Sequence, residues 1–354
     1  MHWAGEEPAR TNAASSEDAA GGGPCPVPGA IHAEKIIVKP CAGRHARFER
    51  GCDGNGSASL IPRHPLAMKS TASDRPGIAI VGPGRLGGAL ALNLRQAGWK
   101  LERLVVRSSG PVPAAIKRFA GELRAKVARL DESVPASELV WITVPDDAIA
   151  DVATMLAIGR SWRGKMVFHS SGALSSDVLA PLREKGARVA SVHPGMTFVS
   201  RSIPTLSGVP FAVEGDAPAL RLARRIIHSL GGKAFTVRKG KKTLYHAFDT
   251  FASPLFIALM AAMEEVGTAA GLRKSQLRPM AGALLRQTVE NYLEHGAAAA
   301  FSGPLVRGDI ATIRRHLEAM QQTPGAREAY LALAKVATRG LPVRNLDAVK
   351  RELH

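Results

Sequence analysis

The chain has 354 residues, enough for about two domains, and its apolar content of 45% is ordinary for a soluble globular protein. Its formal charge of +17, nearly all of it carried after residue 75, suits anionic ligands such as nucleotide phosphates or acidic metabolites. No basic run is interleaved with aromatics, and no helix-turn-helix or zinc-finger spacing occurs, so nucleic acid is not an expected partner.

Residues 1–72 carry no hydrophobic period and contain the stretches GGGPCPVPG and GCDGNGSAS. Such a composition buries too little surface to offset chain entropy, so a disordered N-terminal extension is expected there. Met68 lies just before the first periodic element and is the expected start of the compact protein, with residues 1–67 dispensable. Cys25, Cys41 and Cys52 all lie in this region at irregular spacing, which excludes a disulfide framework, a metal site and cysteine catalysis in the remaining chain. Glu6, Glu7, Glu17 and Asp18, with no apolar block beside them, argue against a leader, so a cytoplasmic location is expected. The longest uncharged apolar run, Thr250 to Met263, has 14 residues, too few to cross a bilayer, and no membrane partner is expected.

At Gly77 the pattern changes. Ile78–Val81 is four consecutive apolar residues, the mark of a strand buried on both faces. Gly82, Gly84 and Gly87 follow at G-x-G-x-x-G spacing and open a helix over Leu86–Gln96. In a dinucleotide turn the first glycine permits the tight bend, the second admits the pyrophosphate, and the third lets helix and strand pack closely. Arg85, Leu86 and Gly87 then offer their first-turn N–H groups to the phosphates. Further strands are predicted at Leu104–Arg107, Lys126–Leu130, Leu139–Thr143, Met166–His169, Arg188–Val192, Pro210–Val213 and Ala234–Val237. Helices are predicted between them at Ala114–Gly121, Asp146–Ala157, Ser176–Lys185 and Ala217–Leu230. This alternation predicts an α/β, Rossmann-like, mostly parallel sheet over residues 76–240 as a dinucleotide-binding domain.

Lys239-Gly240-Lys241-Lys242 is the densest basic cluster and reads as a solvated linker. Beyond it the strands stop. Helices are predicted at Thr243–Ala270, Lys274–Glu294, Asp309–Gln322, Gly325–Thr338 and Leu346–Glu352, giving an all-helical C-terminal domain over 243–354 for substrate binding and dimerisation. The first of them is apolar nearly all round, through Leu244, Phe248, Phe251, Leu255, Phe256 and Leu259. A helix of that kind is buried in a larger assembly, so a homodimer is expected.

Several strand ends carry polar groups that suit chemistry. The second strand ends in Arg107-Ser108-Ser109, where an NAD-binding chain would place a carboxylate on the ribose 2′-OH. Arginine with hydroxyls suits a 2′-phosphate, so NADP is favoured and NAD remains possible; the alternative is an ordinary strand-end arginine. Val144 and Pro145 follow the fourth strand and should border the nicotinamide ribose, with Asp146 as a side-chain cap for the next helix. The hydroxyls of Ser170 and Ser171 suit the nicotinamide amide or a substrate carboxylate, or else a plain polar turn. His193, held extended before Pro194, has a titration range suited to acid–base work, against a structural role. His246, Asp249, Thr250 and Ser253 form one polar stripe on the apolar helix, and Pro254 should kink it. The stripe is either a site with His246, Asp249 and Ser253 as catalytic groups or a polar network between helices.

Taken together, GPGRLG, TVPDDAI, HSSGALSSDVL, SVHPGMTF and GPLVRGD resemble a bacterial family of Rossmann-like oxidoreductases with a C-terminal helical domain of unknown function. That family is similar to pyrroline-5-carboxylate reductase and to the 6-phosphogluconate dehydrogenase superfamily. The resemblance implies a 6-phosphogluconate dehydrogenase-like helical domain, with Ser253 matching the hydroxyl that meets the imine substrate in the reductase. His193-Pro194 is similar to the HPM motif of prephenate dehydrogenases, in which the histidine meets the substrate hydroxyl. The expected function is therefore NADP-dependent hydride transfer to or from a C=N or C–OH carbon of a small anionic metabolite. A prephenate-dehydrogenase-like enzyme and a non-catalytic NADP-binding sensor or assembly protein are the alternatives.

Overall fold

The structure, a computed structural model, describes residues 75–107, 109–130, 137–199 and 204–354. The expected N-terminal extension with its cysteines, the start at Met68, and Ser108 lie outside the described residues. The α/β part runs β1 (Ile78–Val81), α1 (Arg85–Gln96), β2 (Leu101–Val106), α2 (Ala114–Glu122), β3 (Lys126–Arg129), β4 (Leu139–Ile142), α3 (Asp146–Ala157), β5 (Met166–His169), α4 (Ala180–Glu184), β6 (Arg188–Pro194), β7 (Pro210–Gly215), α5 (Ala217–Ser229) and β8 (Lys233–Thr236). Seven helices follow: α6 (Lys242–Ala252), α7 (Pro254–Ala269), α8 (Lys274–Ala300), α9 (Pro304–Arg307), α10 (Ile310–Ala319), α11 (Pro324–Gly340) and α12 (Leu346–Glu352).

The eight strands form one sheet in the order β3-β2-β1-β4-β5-β6-β7-β8. Its first six positions are the dinucleotide-fold order, and the order reverses between β1 and β4. All pairings are parallel except β6 with β7, where His193 faces Ala212. One antiparallel pairing agrees with the mostly parallel sheet expected from the sequence, since antiparallel neighbours need no crossover helix.

Alternation along β1 sends Ile78 and Ile80 to one face and Ala79 and Val81 to the other. The first face packs on Leu90 and Leu94 of α1 and on Ile226 and Ile227 of α5, the second on Ile149, Ala153 and Leu156 of α3. Each strand residue buried in this way contributes about 1.5–3 kcal/mol when its side chain is large and apolar. The helical part has its own smaller core, built on Ile313, Leu317, Ala334 and Val349. The predicted helix Thr243–Ala270 is broken at Ser253, whose φ of −130° and ψ of −82° are not helical. Pro254 causes the break, since its ring excludes the N–H that would continue the ladder.

Candidate active site

Parallel strands carry their carboxyl ends to one edge of the sheet, and ligands of such folds bind at the order reversal on that edge. Here the edge begins with the turn from β1 into α1. Gly82 has a φ of +86°, a left-handed conformation that disfavours any side chain, and a Cβ there would also lie 2.7 Å from Val144 Cγ1. A Cβ on Gly87 would run into the Gly82 carbonyl and the Thr143 hydroxyl. Gly84 is the opposite case: a Cβ would meet nothing within 4 Å, so open space adjoins the turn. Thr143 Oγ1 lies 2.8 Å from the Gly82 carbonyl and 3.1 Å from that of Val81, pinning the turn to the end of β4. Thr143 carries no signal of this role in the sequence, because a threonine closing an apolar run reads as part of the strand. The first-turn amides of Arg85, Leu86 and Gly87 have no backbone acceptor one turn back among the described residues. Arg85 is exposed beside them.

Arg107 leaves the end of β2 exposed, and Ser109 is exposed after it. Arg129, at the end of the neighbouring β3, reaches the same loop and donates to the Gly110 carbonyl at 2.8 Å. Two guanidinium groups therefore stand together beyond the carboxyl ends of β2 and β3. Arg129 was missed in the sequence because its strand-pair neighbour, not its own motif, brings it there.

The loop after β5 is held from within. Ser171 Oγ donates to Asp146 Oδ2 at 2.6 Å and accepts from the Ala173 and Leu174 amides at 3.2 and 2.9 Å. Ser170 Oγ accepts from Trp141 Nε1 at 2.8 Å. Both hydroxyls, read from sequence as cofactor ligands, are buried and taken up by protein partners. Asp146 also differs from expectation. The α3 helix starts at Asp146 itself with no side-chain cap, and the carboxylate joins the Val144-Pro145 loop to the Ser171 loop instead. Fully buried His169 accepts the Ser171 amide on Nδ1 and donates Nε2–H to the Ser175 carbonyl, each at 3.2 Å. Burial, with the Lys242 charge adding to it, holds His169 neutral by lowering its pKa to about 3.

At the end of β6 the two parts of the chain meet. His193 Nδ1 donates to the Ser170 carbonyl at 2.9 Å, which leaves Nε2 facing Asp249 Oδ2 of α6 at 3.3 Å. Asp249 Oδ2 is buried without a hydrogen-bond partner. A neutral ring would set two lone pairs against each other, so the pair calls for a proton between Nε2 and Oδ2. Burial lowers the His193 pKa, and the Ser170 carbonyl and the Asp249 charge oppose that shift. The His193 ring stands edge-on to Tyr245 and His246 with centroids 5.9 and 6.0 Å away. Burial and the Asp249 carboxylate raise the Tyr245 pKa well above its usual range, keeping the hydroxyl protonated. A Cβ on Gly172 would lie 2.5 Å from His246 Cδ2 and 3.0 Å from His193 Nε2, so the missing side chain there makes room for both rings.

Lys242 completes the cluster. It is 1% exposed, donates to the Ser171 carbonyl at 3.1 Å and lies 5.6 Å from the Tyr245 ring centre. Burial draws its pKa down to about 8 against the opposing charges of Glu214, Asp146 and Asp249. The solvated-linker reading of residues 239–242 is corrected at this position. The helix begins one residue after a basic turn, and its first residue points inward, which a local charge run does not reveal. Lys239 does behave as a surface group, pairing with Asp177 at 2.8 Å. Of the polar stripe, Asp249 and His246 reach His193, while Thr250 turns back onto the His246 carbonyl at 2.9 Å. Ser253 sits at the break one turn further on, and no side-chain hydrogen bond ties it among the described residues. No group of three or more metal-ligating side chains occurs among the described residues.

Residues 64–194 match a Rossmann-like domain, and residues 209–337 match a domain of unknown function, DUF2520. His193 closes the first span, and Lys242, Tyr245, His246 and Asp249 lie in the second. The second span also takes in β7 and β8, so its border falls inside the sheet and not at the start of the helices. No curated protein matches the chain. Among solved structures, a Bacteroides fragilis protein named as an NADP oxidoreductase superposes with a TM-score of 0.62 at 18% identity, covering 74% of this chain and 97% of that one. A Thermotoga maritima protein gives 0.58 at 24% identity over 78% and 100%. A reductive aminase from Aspergillus terreus, in complex with NADPH and ethyl levulinate, gives 0.57 at 16% over 79% and 100%. At these identities the likeness is one of fold.

Proposed function

The chain joins a Rossmann-like domain to a DUF2520 domain, and we propose that it is an NADP-dependent oxidoreductase acting on a C=N or C–OH carbon of a small anionic metabolite. The observation that carries this reading is the meeting of His193, Asp249 and Lys242 at the sheet edge that also bears the Gly82–Gly87 turn. Names of structural neighbours support parts of this reading: an NADP oxidoreductase and a reductive aminase holding NADPH support the cofactor, and the second supports the C=N alternative.

The turn fits a dinucleotide. Open space at Gly84 and the unpaired amides of Arg85, Leu86 and Gly87 would take the pyrophosphate, and Val144 and Pro145 would border the ribose. Arg107 and Ser109, with Arg129 behind them, would take the 2′-phosphate. A bound nicotinamide supplies or accepts the hydride. The protein's own part is the proton. His193 is oriented by the Ser170 carbonyl on Nδ1, so Nε2 is the atom that gives or takes a proton as charge develops on the substrate oxygen or nitrogen. Asp249 stabilises the protonated ring. The Lys242 ammonium, with charge present below a pH of about 8, favours an anionic substrate in the crevice.

Titration of the protein with NADPH and NADH tests the cofactor. NADPH should bind more tightly, and Arg107→Asp should erase the difference, since one charge-assisted contact contributes about 1.5–3 kcal/mol. Equal dissociation constants in the unaltered chain would count against the 2′-phosphate assignment. NADPH binding without hydride transfer to any imine or carbonyl acid, alongside a captured protein partner, would favour the sensor reading.

A further inference from the structure

On the opposite edge of the sheet, where the parallel strands begin, we propose a second anion site that takes a small polyphosphate, such as the di- or triphosphate group of a nucleotide. Two adjoining cavities, of about 460 and about 500 Å³, share Gly164 and Met166 in their walls. Arg221 and Arg225 line the first, and Arg163, Lys165, Arg183 and Arg188 line the second. Glu138 is the carboxylate among those lining residues. Volumes of this size hold nucleotide-sized ligands.

The local structure explains the convergence of charge. Arg221 and Arg225 are one turn apart on α5 and so share a face. Arg163 and Lys165 flank Gly164, whose φ of +75° bends the chain immediately before β5. Arg188 begins β6 directly beside Met166, the first residue of β5. Asp177 and Asp216 engage Arg183 at 3.1 and 3.4 Å, whereas Arg163, Arg188 and Arg221 are exposed. The exposed Arg163 and Arg188 of one cavity and Arg221 of the other lie along two adjoining hollows, and a multiply charged anion spanning them would neutralise their charge. Planar guanidinium groups match phosphate oxygens two at a time, which favours a polyphosphate over a single charge. The site is separate from the Gly84 turn, because strand starts and strand ends lie on opposite edges of a parallel sheet.

Calorimetric titration of the full chain with inorganic tripolyphosphate, at physiological salt, tests the proposal. Four proteins are compared: the unaltered chain, Arg188→Glu with Arg221→Glu, Gly84→Asp, and Arg339→Glu with Arg351→Glu. The last pair is exposed elsewhere and makes the same change in net charge. Binding should persist in Gly84→Asp, fall by about tenfold or more in the Arg188/Arg221 variant, and change by less than about twofold in the Arg339/Arg351 variant. Unchanged melting temperatures show that all four are folded. No binding in the unaltered chain overturns the site. So does loss in Gly84→Asp alone, which would place the anion at the dinucleotide turn, or an equal fall in both double variants, which would leave only bulk charge. None of these outcomes depends on hydride transfer, so the site and the oxidoreductase reading stand or fall separately.

Discussion

At the scale of single residues, the site depends on which atoms hold protons. His193 can give a proton only from Nε2, because the Ser170 carbonyl fixes the proton on Nδ1. His193→Asn should lower turnover by about 10²–10⁴ while NADPH affinity stays within about twofold. A proportional loss of NADPH binding would make the histidine a structural support of the crevice instead. His169 behaves oppositely. Its pKa of about 3 in the fold lies below the ordinary value of 6.5, so the unfolded chain binds the extra proton first. Its contribution to stability is therefore complete above about pH 6.5 and is lost as pH falls towards 3. His169→Gln should flatten the fall in melting temperature over that window, and an unchanged slope would remove His169 as its source. Chain-level patterning finds some of these residues and not others. His193 and Asp249 stand out because each is polar in an apolar setting, and burial of an unpaired carboxylate is costly. Lys242 looks like its neighbours Lys239 and Lys241, since only the tertiary course of α6 decides which lysine turns inward. Ser170 and Ser171 sit at the expected edge, but their partners, Trp141 and Asp146, come from another strand and from the start of α3.

At the scale of elements, local chemistry is most legible where a single residue forces the backbone. The β1–α1 turn follows from glycine spacing, and the break between α6 and α7 follows from Pro254. The reversal of β7 has no such local signature, because strand direction is set by pairing with the neighbouring strand. The loop from His169 to Ser175 is an element whose form serves the site. Gly172 in it faces both His193 and His246 without a side chain. Gly172→Ala would press a methyl group against both rings. The substitution should lower turnover by about tenfold or more, because small displacements of a proton donor reduce the fraction of correctly aligned complexes. NADPH affinity should hold, since the β1–α1 turn is untouched. Full activity in Gly172→Ala would mean that the ring positions are not limiting.

At the scale of the whole molecule, the second half presents an apolar surface that none of the described residues covers. Leu244, Phe248 and Phe251 of α6 are 67, 68 and 70% exposed, and Ile257 of α7, Met280 and Leu284 of α8 are exposed with them. Counted through the break and across the charges that bound the uncharged run Thr250–Met263, Lys239–Ala269 is long and apolar enough by length and composition to cross a membrane. Asp249 interrupts that longer segment and packs against His193, which ties one face of α6 to the sheet domain. A segment docked in this way, with its other face apolar, suits a protein partner better than lipid. A second copy of the chain, pairing like surface with like, is the economical occupant, and we propose a homodimer formed through α6, α7 and α8. Phe251→Glu would set a charge in the centre of such a contact. Light scattering at micromolar concentration should give the dimer mass for the unaltered chain and the monomer mass for Phe251→Glu, with the sheet domain still binding NADPH. A monomer mass for the unaltered chain would leave the surface open to another occupant, and partition of the unaltered chain into lipid vesicles would identify that occupant as a membrane.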